Sequence, residues 1–506
     1  MQVAGFTDPF FGLPSLFAVS PECFNQFRPT APTCLTGAQQ LNQVDRDGSN
    51  YRVNSNLSVP SDVEAIGGSL QIEQDLGDVT LNSITAFDRF TRLYFEDEDG
   101  GPLSELHVYF DEDFRHYSQE VRLTSTNDSP FQWIVGAFGS RLEAEMKRQA
   151  DYTGVTNVLQ AMFIPWNGIV YSNRIRESSL AAFAHTTYDL NEKLRAIFGL
   201  RYTYEKKSIN VINANIIGNS PLFAPITPAN YTITSYRTNN LTRDDSWSNL
   251  SGKIGLEFRP NENVLAYAHA SRGFKSGGFP GSLGVTPSRL NPYRPEITDN
   301  VEVGIKTNFD NNRGRLNVAG FYTRAEDRLE FATSEDGSFV DFTNAASVHI
   351  KGVELEFGYD LPGGFSINVA GAYTDAKYRD FVDRGSGAVF SGNRLPFSPA
   401  WTGNIQLAKT FELQNGGKVT IQTNANYVGK MFFSADNLPA VSGGKYAFWN
   451  GRIDWRPNAT GFGVALFVRN ILDKEARVGG AFGVTGNAAM NFGQQRSFGV
   501  ELKYDW

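Results

Sequence analysis

The sequence predicts an all-β fold, a transmembrane antiparallel β-barrel of about 17 strands, and three observations favour it. Apolar and polar residues alternate with a period of two through most of the 506 residues. Tight turns and long connections follow one another in strict alternation. Aromatic residues make up 13% of the chain, with 39 Phe and 20 Tyr, which is typical of strands and unusual for a compact helical core.

The alternation of side chains assigns faces to several strands. In VEVGIKTNF, residues 301–309, apolar residues and threonine fall on one side, and glutamate, glycine, lysine and asparagine fall on the other. The segments 353–361 and 497–506 alternate in the same way. Because a lysine at the bilayer midplane costs about 2–4 kcal/mol, the apolar side is expected to face lipid. The pattern assigns no faces in 79–90 and 264–272.

The connections fall into two classes that occupy opposite ends of the sheet. Tight, turn-forming segments are predicted at 76–78, 126–130, 191–193, 260–263, 310–314, 361–364, 414–417 and 457–461. Long connections are predicted at 91–113, 146–176, 207–245, 275–296, 327–346, 379–396, 430–446 and 473–495. This sorting is typical of outer-membrane barrels, which have short periplasmic turns and longer outside loops.

Composition and termini exclude some classes of protein. A net charge of −8 argues against a nucleic-acid binder. The sequence contains no run of 18 apolar residues, so it predicts no membrane-spanning helix. Cys23 and Cys34 suit a loop disulfide in an oxidising compartment, with two unpaired thiols as the alternative. The N-terminus lacks a basic region and is a poor signal peptide, so export would require a segment in front of Met1.

The segment YAHASRGFKSGGF, residues 267–279, resembles the strand-to-loop signature of TonB-dependent outer-membrane receptors. The matching positions are Gly273, Phe274, Lys275, Ser276, Gly277, Gly278 and Phe279. Further similar segments are RPEITDNVEVGIK at 294–306, IKGVELE at 350–356, LPFSPAWTGN at 395–404, VRNILDKE at 468–475 and GQQRSFGVELKYDW at 493–506. The resemblance extends over nearly the whole chain from about residue 66.

This resemblance implies an outer-membrane receptor of a Gram-negative bacterium, with a plug inside the barrel on which the TonB complex pulls. It implies uptake of a scarce nutrient, most readily a ferric siderophore, with no enzymatic step and no cofactor. Barrels of this class have about 22 strands, so about five strands and the plug are expected to be absent. We therefore expect an N-terminally truncated receptor, with 1–65 the remainder of an outside loop and 66–506 the barrel.

Individual residues give three further expectations. Arg272 and Lys275 are candidates for contact with a ligand, whereas GFKSGG lacks the spacing of a phosphate-binding loop. The C-terminal aromatic residue resembles the signal read by outer-membrane assembly machinery, although Trp506 stands where Phe is usual. The acidic run at 95–100, with Glu105, Asp111, Glu112 and Asp113 near it in sequence, favours a solvated loop over a Ca²⁺ site.

Two other functions stay open from the residues alone. A passive porin would need no plug, and a secreted β-propeller enzyme or lectin would be soluble without detergent. The propeller requires repeated blades, and the sequence shows no such period. The substrate itself is not specified by the sequence.

Overall fold

The computed structural model describes residues 61–97, 107–151, 168–217, 232–280, 290–333, 340–383, 385–457, 461–482 and 488–504. Seventeen strands of this part form a single antiparallel sheet. No helix of the described residues is long and apolar enough to cross a membrane. The predicted disulfide of Cys23 and Cys34 and the C-terminal Trp506 lie outside the described residues.

The strands of the sheet vary from 8 to 30 residues in length. They are β1 (Ser61–Asp75), β2 (Val79–Asp97), β3 (His107–Ser125), β4 (Phe131–Asp151), β5 (Gly168–Asn191), β6 (Leu194–Ile217), β7 (Thr232–Asn261), β8 (Val264–Lys275), β9 (Glu296–Phe309), β10 (Gly314–Thr333), β11 (Val340–Leu361), β12 (Phe365–Phe381), β13 (Trp401–Glu412), β14 (Lys418–Val428), β17 (Tyr446–Arg456), β18 (Phe462–Arg469) and β21 (Ser497–Tyr504). Two small hairpins lie in the connections, β15 (Met431–Phe432) with β16 (Ser442–Gly443), and β19 (Arg477–Phe482) with β20 (Ala488–Phe492).

Each strand of the sheet pairs with its neighbours in chain order, and β14 pairs with β17, β17 with β18, and β18 with β21. All tight turns therefore lie at one end and all long connections at the other, which confirms the predicted strand number and alternation. A single sheet of this kind is not divided into blades, so the propeller alternative is wrong. The first strand begins at Ser61, slightly ahead of Ile66.

The two edge strands have the same direction, since β1 and β21 both run from the long-loop end to the tight-turn end. Within the described residues β1 pairs only with β2, and β21 pairs only with β18. Every residue of β1 is exposed. Because the two edge strands run in the same direction, they cannot pair antiparallel with each other. An antiparallel barrel closed through both edges would need an odd number of further strands from outside this sheet to join β21 to β1.

One face of the sheet, the outer face, is apolar as predicted. Val301, Val303 and Ile305 on β9 are 41–54% exposed on this face. Its apolar belt on β12 runs from Phe365 near the tight turn to Tyr373, a length that suits the roughly 9–11 residues of a tilted membrane strand. The opposite, inner face carries the buried clusters of the long-loop end.

Aromatic rings border the apolar belt of the outer face at both ends. The Tyr373 ring lies 4.8 Å from that of Trp401 at the long-loop side, and the Phe309 ring lies 5.9 Å from that of Tyr359 at the tight-turn side. Such rows match the aromatic girdles at the two membrane interfaces of outer-membrane barrels.

The strands β2 to β7 extend well beyond the predicted ends. The connection expected at 207–245 shortens to 218–231 because β6 continues to Ile217 and β7 begins at Thr232. Outside the bilayer neither side of a strand meets lipid, so the apolar alternation that marks a membrane strand fades there. The apolar alternation in the sequence therefore predicted the membrane-spanning part of these strands and missed the ends that project beyond the bilayer.

A lysine introduced on the outer face is expected to block assembly, whereas a lysine at the adjacent, inward-facing position is expected to be tolerated. Ile405 on β13 is 42% exposed on the outer face, and Gln406 faces inward and bonds Gln422 at 3.4 Å. Ile405→Lys should cost about 2–4 kcal/mol in the membrane. Heat-modifiable gel mobility of the outer-membrane fraction measures folded protein. Equal folded amounts of Ile405→Lys and the control Gln406→Lys would contradict the assignment of faces.

Candidate ligand-binding site at the long-loop end

Four side chains from three neighbouring strands stack on the inner face at the long-loop end. The rings of Tyr94 and Phe110 are cross-strand partners, lie 7° from parallel and have centroids 4.2 Å apart. The Arg92 guanidinium lies 4.3 Å from the Tyr94 centroid, and the Arg148 guanidinium lies 5.1 Å from the Phe110 centroid. Both distances are within reach of cation–π attraction. We call Arg92, Tyr94, Phe110 and Arg148 the arginine–aromatic stack.

The two arginines of the stack differ in their charge partners. Glu112 is 4% exposed and accepts a hydrogen bond from Arg92 Nε at 2.9 Å. No carboxylate of the described residues pairs with Arg148. Burial, and then the charge of Glu96, raises the pKa of the Tyr94 hydroxyl, which stays protonated at neutral pH. Among the described residues the stack therefore presents one cation without a carboxylate partner beside aromatic surface, which suits an anionic ligand with planar groups.

The described residues of the connection between β8 and β9, 276–280 and 290–295, pack on the inner face beside this stack. The backbone of Gly278 and that of Tyr293 exchange two hydrogen bonds: Gly278 N–H donates to the Tyr293 carbonyl at 3.2 Å, and Tyr293 N–H donates to the Gly278 carbonyl at 2.8 Å. Leu290 is fully buried in a cluster with Tyr171, which is the cross-strand partner of Arg148. These residues of the connection therefore form part of the wall around the stack.

The glycines of the signature segment permit this inward fold. A Cβ on Gly277 would overlap the Trp247 ring and would lie 2.7 Å from the Tyr293 carbonyl oxygen. Phe279 then packs on Trp247, with ring centroids 6.1 Å apart. A Cβ on Gly273 would meet no atom within 4 Å. Gly277 is thus required by close packing, and Gly273 is not.

A second connection, residues 382–400, packs against the inner face of β10 to β12. Tyr378 and Phe381 are each 1% exposed, and Leu395 from the connection is 3% exposed in the same cluster. Burial, followed by the charge of Glu330, raises the pKa of Tyr378 far above its ordinary value. Two of the long connections are therefore anchored to the inner wall by apolar contacts.

Three asparagines fasten the segments at this end by the same bonding pattern. Each side-chain oxygen accepts from one backbone N–H, and each side-chain N–H₂ donates to the carbonyl of that same residue. The pairs are Asn344 with Arg294 (2.6 and 3.0 Å), Asn437 with Arg394 (2.9 and 2.9 Å) and Asn470 with Lys474 (2.8 and 3.0 Å). Asn470 also donates to the carbonyl of Gln494 at 3.0 Å, which joins the start and the end of the β18–β21 connection.

The two ligand-contact candidates from the sequence lie on opposite faces. Arg272 is on the outer face, where it forms a bidentate pair with Asp299 at 2.6 and 2.8 Å. Lys275, the last residue of β8, is exposed and lies at a position whose side chain faces inward in the strand alternation. A ligand contact of either residue stays a prediction, and the ion pair gives Arg272 a structural role. Of the remaining signature residues, Phe274 lies in β8 and Ser276 begins the connection.

The acidic residues 111–113 are not in a solvated loop, which corrects the expectation from the sequence. They belong to β3, where Asp113 pairs with Arg89 at 3.0 Å and Glu112 supports the stack. Asp111 pairs with Lys147 of β4 at 3.5 Å. Charge alone did not show that basic residues on the two neighbouring strands would pair with these carboxylates. Among the described residues no group of three or more His, Cys, Asp or Glu side chains could hold a metal ion.

A comparison with family models matches residues 23–471 to the family described as "TonB dependent receptor-like, beta-barrel". The chain belongs to the TonB-dependent receptor family. Receptors of this family are outer-membrane transporters of Gram-negative bacteria and not enzymes. The resemblance found in the sequence is thereby confirmed.

Individual relatives agree with this receptor family. The ferric-pyoverdine M114 receptor PbuA of Pseudomonas sp. (strain M114) is 26% identical over 276 residues, which are 52% of this chain and 31% of PbuA. The ferric yersiniabactin uptake receptor FyuA of Yersinia pestis has a TM-score of 0.71 at 18% identity and is covered over 61% of its length by 88% of this chain. The siderophore receptor PiuA of Acinetobacter baumannii has a TM-score of 0.67 at 16% identity, with 64% of PiuA and 88% of this chain covered.

These likenesses differ in what they show. The solved structures are below 25% identity and show the fold alone. The chain spans less than two thirds of each of these relatives.

Proposed function

We propose that this chain forms the barrel wall of an outer-membrane receptor that takes up a ferric chelate by TonB-coupled transport. Family membership supports the receptor role, and PbuA, the sequence relative, is named a ferric-pyoverdine receptor. The observation that carries the substrate class is Arg148, an inward cation without a described carboxylate partner, stacked on Phe110. Ferric chelates that carry negative charge and flat groups match this chemistry.

The inner face below the site suits a plug on which TonB acts. Lys306, Glu354 and Glu356 face inward and are exposed. Charged side chains in these positions would be covered by a polar domain inside the barrel. We propose that the barrel begins with β1 at Ser61, slightly ahead of the residue 66 expected from the sequence, and that the residues before β1 belong to an outside loop. Assembly machinery that reads the C-terminal strand and Trp506 completes the proposed set of partners.

Arg148→Gln should weaken ferric-chelate binding without affecting assembly. A hydrogen bond to a charged group contributes about 1.5–3 kcal/mol, so affinity should fall about tenfold to a hundredfold. The measurement is a titration of the native gene product in outer membranes with ferric pyoverdine as the probe. Arg141→Gln is the matched control, because Arg141 lies on the outer side of the same strand and pairs with Glu143 at 2.7 Å. Wild-type affinity of Arg148→Gln, or an equal loss in the control, would contradict the proposed site.

A further inference from the structure

Three basic side chains meet at a single carboxylate on the outer face, just beyond the long-loop end of the apolar belt. Asp375 on β12 accepts a hydrogen bond from Arg394 Nη1 at 3.2 Å and pairs with Lys377 Nζ at 3.2 Å. Lys351 on β11 is the cross-strand partner of Asp375, and its ammonium group lies 4.0 Å from that carboxylate. We call Lys351, Lys377 and Arg394 the basic cluster.

The alternation of β12 places the basic cluster on the side that faces lipid. Asp375 and Lys377 follow Tyr373 on the outer side of the strand. The alternate residues Ala376 and Tyr378 are each 1% exposed and belong to the buried cluster of the inner face. At about 3.3 Å per residue, Asp375 and Lys377 lie about 7 and 13 Å along the strand beyond Tyr373. Since Tyr373 ends the apolar belt, the basic cluster lies at the depth of the lipid headgroups.

The basic cluster carries more positive than negative charge. Its three cations share the one carboxylate of Asp375, which leaves an excess of two positive charges among the described residues. Arg324 on β10 pairs with Glu326. Arg379 on β12 pairs with Asp380 at 3.5 Å. These neighbouring pairs are balanced and leave the excess unchanged. The whole chain has a net charge of −8, so the positive excess is a local feature.

The geometry of the basic cluster suits a phosphate group. The side chains of Lys351 and Lys377 are 66% and 48% exposed, whereas that of Asp375 is 16% exposed. Arg394 is held in place, because its Nη2 also donates to the Thr374 carbonyl at 2.7 Å. The basic cluster therefore combines one positioned guanidinium group with two accessible ammonium groups, and both kinds of donor bind phosphate oxygens.

The position of the basic cluster decides which phosphate it meets. The long-loop end of an outer-membrane barrel is the outside end, so the headgroups at this level belong to the outer leaflet. In a Gram-negative outer membrane that leaflet consists of lipid A, whose disaccharide headgroup carries phosphate. Basic residues at a membrane surface attract anionic headgroups. The positive excess of the basic cluster therefore complements the headgroup that lies against it.

We propose that Lys351, Lys377 and Arg394 bind a phosphate group of one lipid A molecule of the outer leaflet. Arg394 belongs to the connection 382–400, so the bound phosphate joins this connection to strands β11 and β12. The site faces lipid, whereas the arginine–aromatic stack lies on the inner face. The inference is therefore independent of the proposed uptake function.

Native mass spectrometry of the delipidated native gene product tests the proposal, with lipid A and fully dephosphorylated lipid A as probes. The wild type should retain one lipid A molecule and should retain the dephosphorylated form at least tenfold less. Lys377→Gln should lower lipid A retention about fivefold, and Lys351→Gln with Lys377→Gln about thirtyfold, because each change removes one contact to the headgroup. Lys351→Arg with Lys377→Arg keeps both charges and should retain lipid A as the wild type does. Heat-modifiable gel mobility verifies that each variant is folded.

Lys409→Gln is the matched control, because it removes one cation from the same outer face at the tight-turn end. Lys409 is the cross-strand partner of Phe365, and its Nζ lies 4.2 Å from the centroid of the Phe365 ring. This variant should retain lipid A as the wild type does. Equal retention of the two probes by the wild type, or undiminished retention in the double glutamine variant, would overturn the proposal. An equal loss in Lys409→Gln and Lys377→Gln would overturn it as well.

Discussion

Gly277→Ala is expected to detach the β8–β9 connection from the inner wall and to weaken chelate binding. The added Cβ would overlap the Trp247 ring and would crowd the Tyr293 carbonyl oxygen at 2.7 Å. Trp247 also packs on Phe279, so it cannot move without disturbing the connection. Overpacking of this kind costs about 1–3 kcal/mol. Protease cleavage of the connection in intact outer membranes should become faster, and ferric-pyoverdine affinity should fall with it.

Gly273→Ala is the control for that experiment within the same signature. A Cβ at Gly273 meets no atom within 4 Å, and its backbone is not among the positive-φ glycines. The control should match the wild type in cleavage rate and in affinity. If Gly277→Ala also matched the wild type, the inward packing of the connection would be wrong.

Asn470→Gly, a single substitution just after the end of β18, is expected to destabilise the receptor strongly. Asn470 is 3% exposed, has φ of 50°, and its amide makes three hydrogen bonds to the backbone of Lys474 and Gln494. Glycine keeps the positive φ without strain, so the change isolates the loss of the amide. Buried backbone groups left unpaired cost about 1–3 kcal/mol. Urea unfolding of the receptor in lipid vesicles should show the loss as a lower midpoint.

Asn311→Gly provides the matched comparison for Asn470. Asn311 has a similar φ of 56° but is exposed in the β9–β10 turn. The same replacement there removes no buried amide and should leave the midpoint close to that of the wild type. Equal midpoints for the two variants would show that the asparagine contacts do not hold the connections.

The sequence predicted the sheet because lipid imposes a period of two on each membrane-spanning strand. VEVGIKTNF and its counterparts therefore gave the faces and the strand number correctly. The projecting ends of β6 and β7 were missed because no lipid meets them. Their contacts come from distant connections, such as Leu290 against Tyr171, which local alternation does not show.

The candidate site was missed for the same reason. Tyr94 and Phe110 fall in the region 91–113, which was predicted as a connection, and only strand pairing brings their rings together. The short alternations around Tyr94 and Phe110 were a detectable sign of strand. The signature segment, by contrast, was found from its glycines, and the structure shows the close approach that requires Gly277.

Energy-dependent uptake tests the central claim most directly. Cells that express the native gene product as their receptor would be given radiolabelled ferric pyoverdine, with and without a protonophore, and in a strain without TonB. The account predicts that surface binding persists in all three cases and that iron uptake stops without the proton gradient or TonB. Uptake that continues unchanged in both conditions would show a passive channel and would contradict the account.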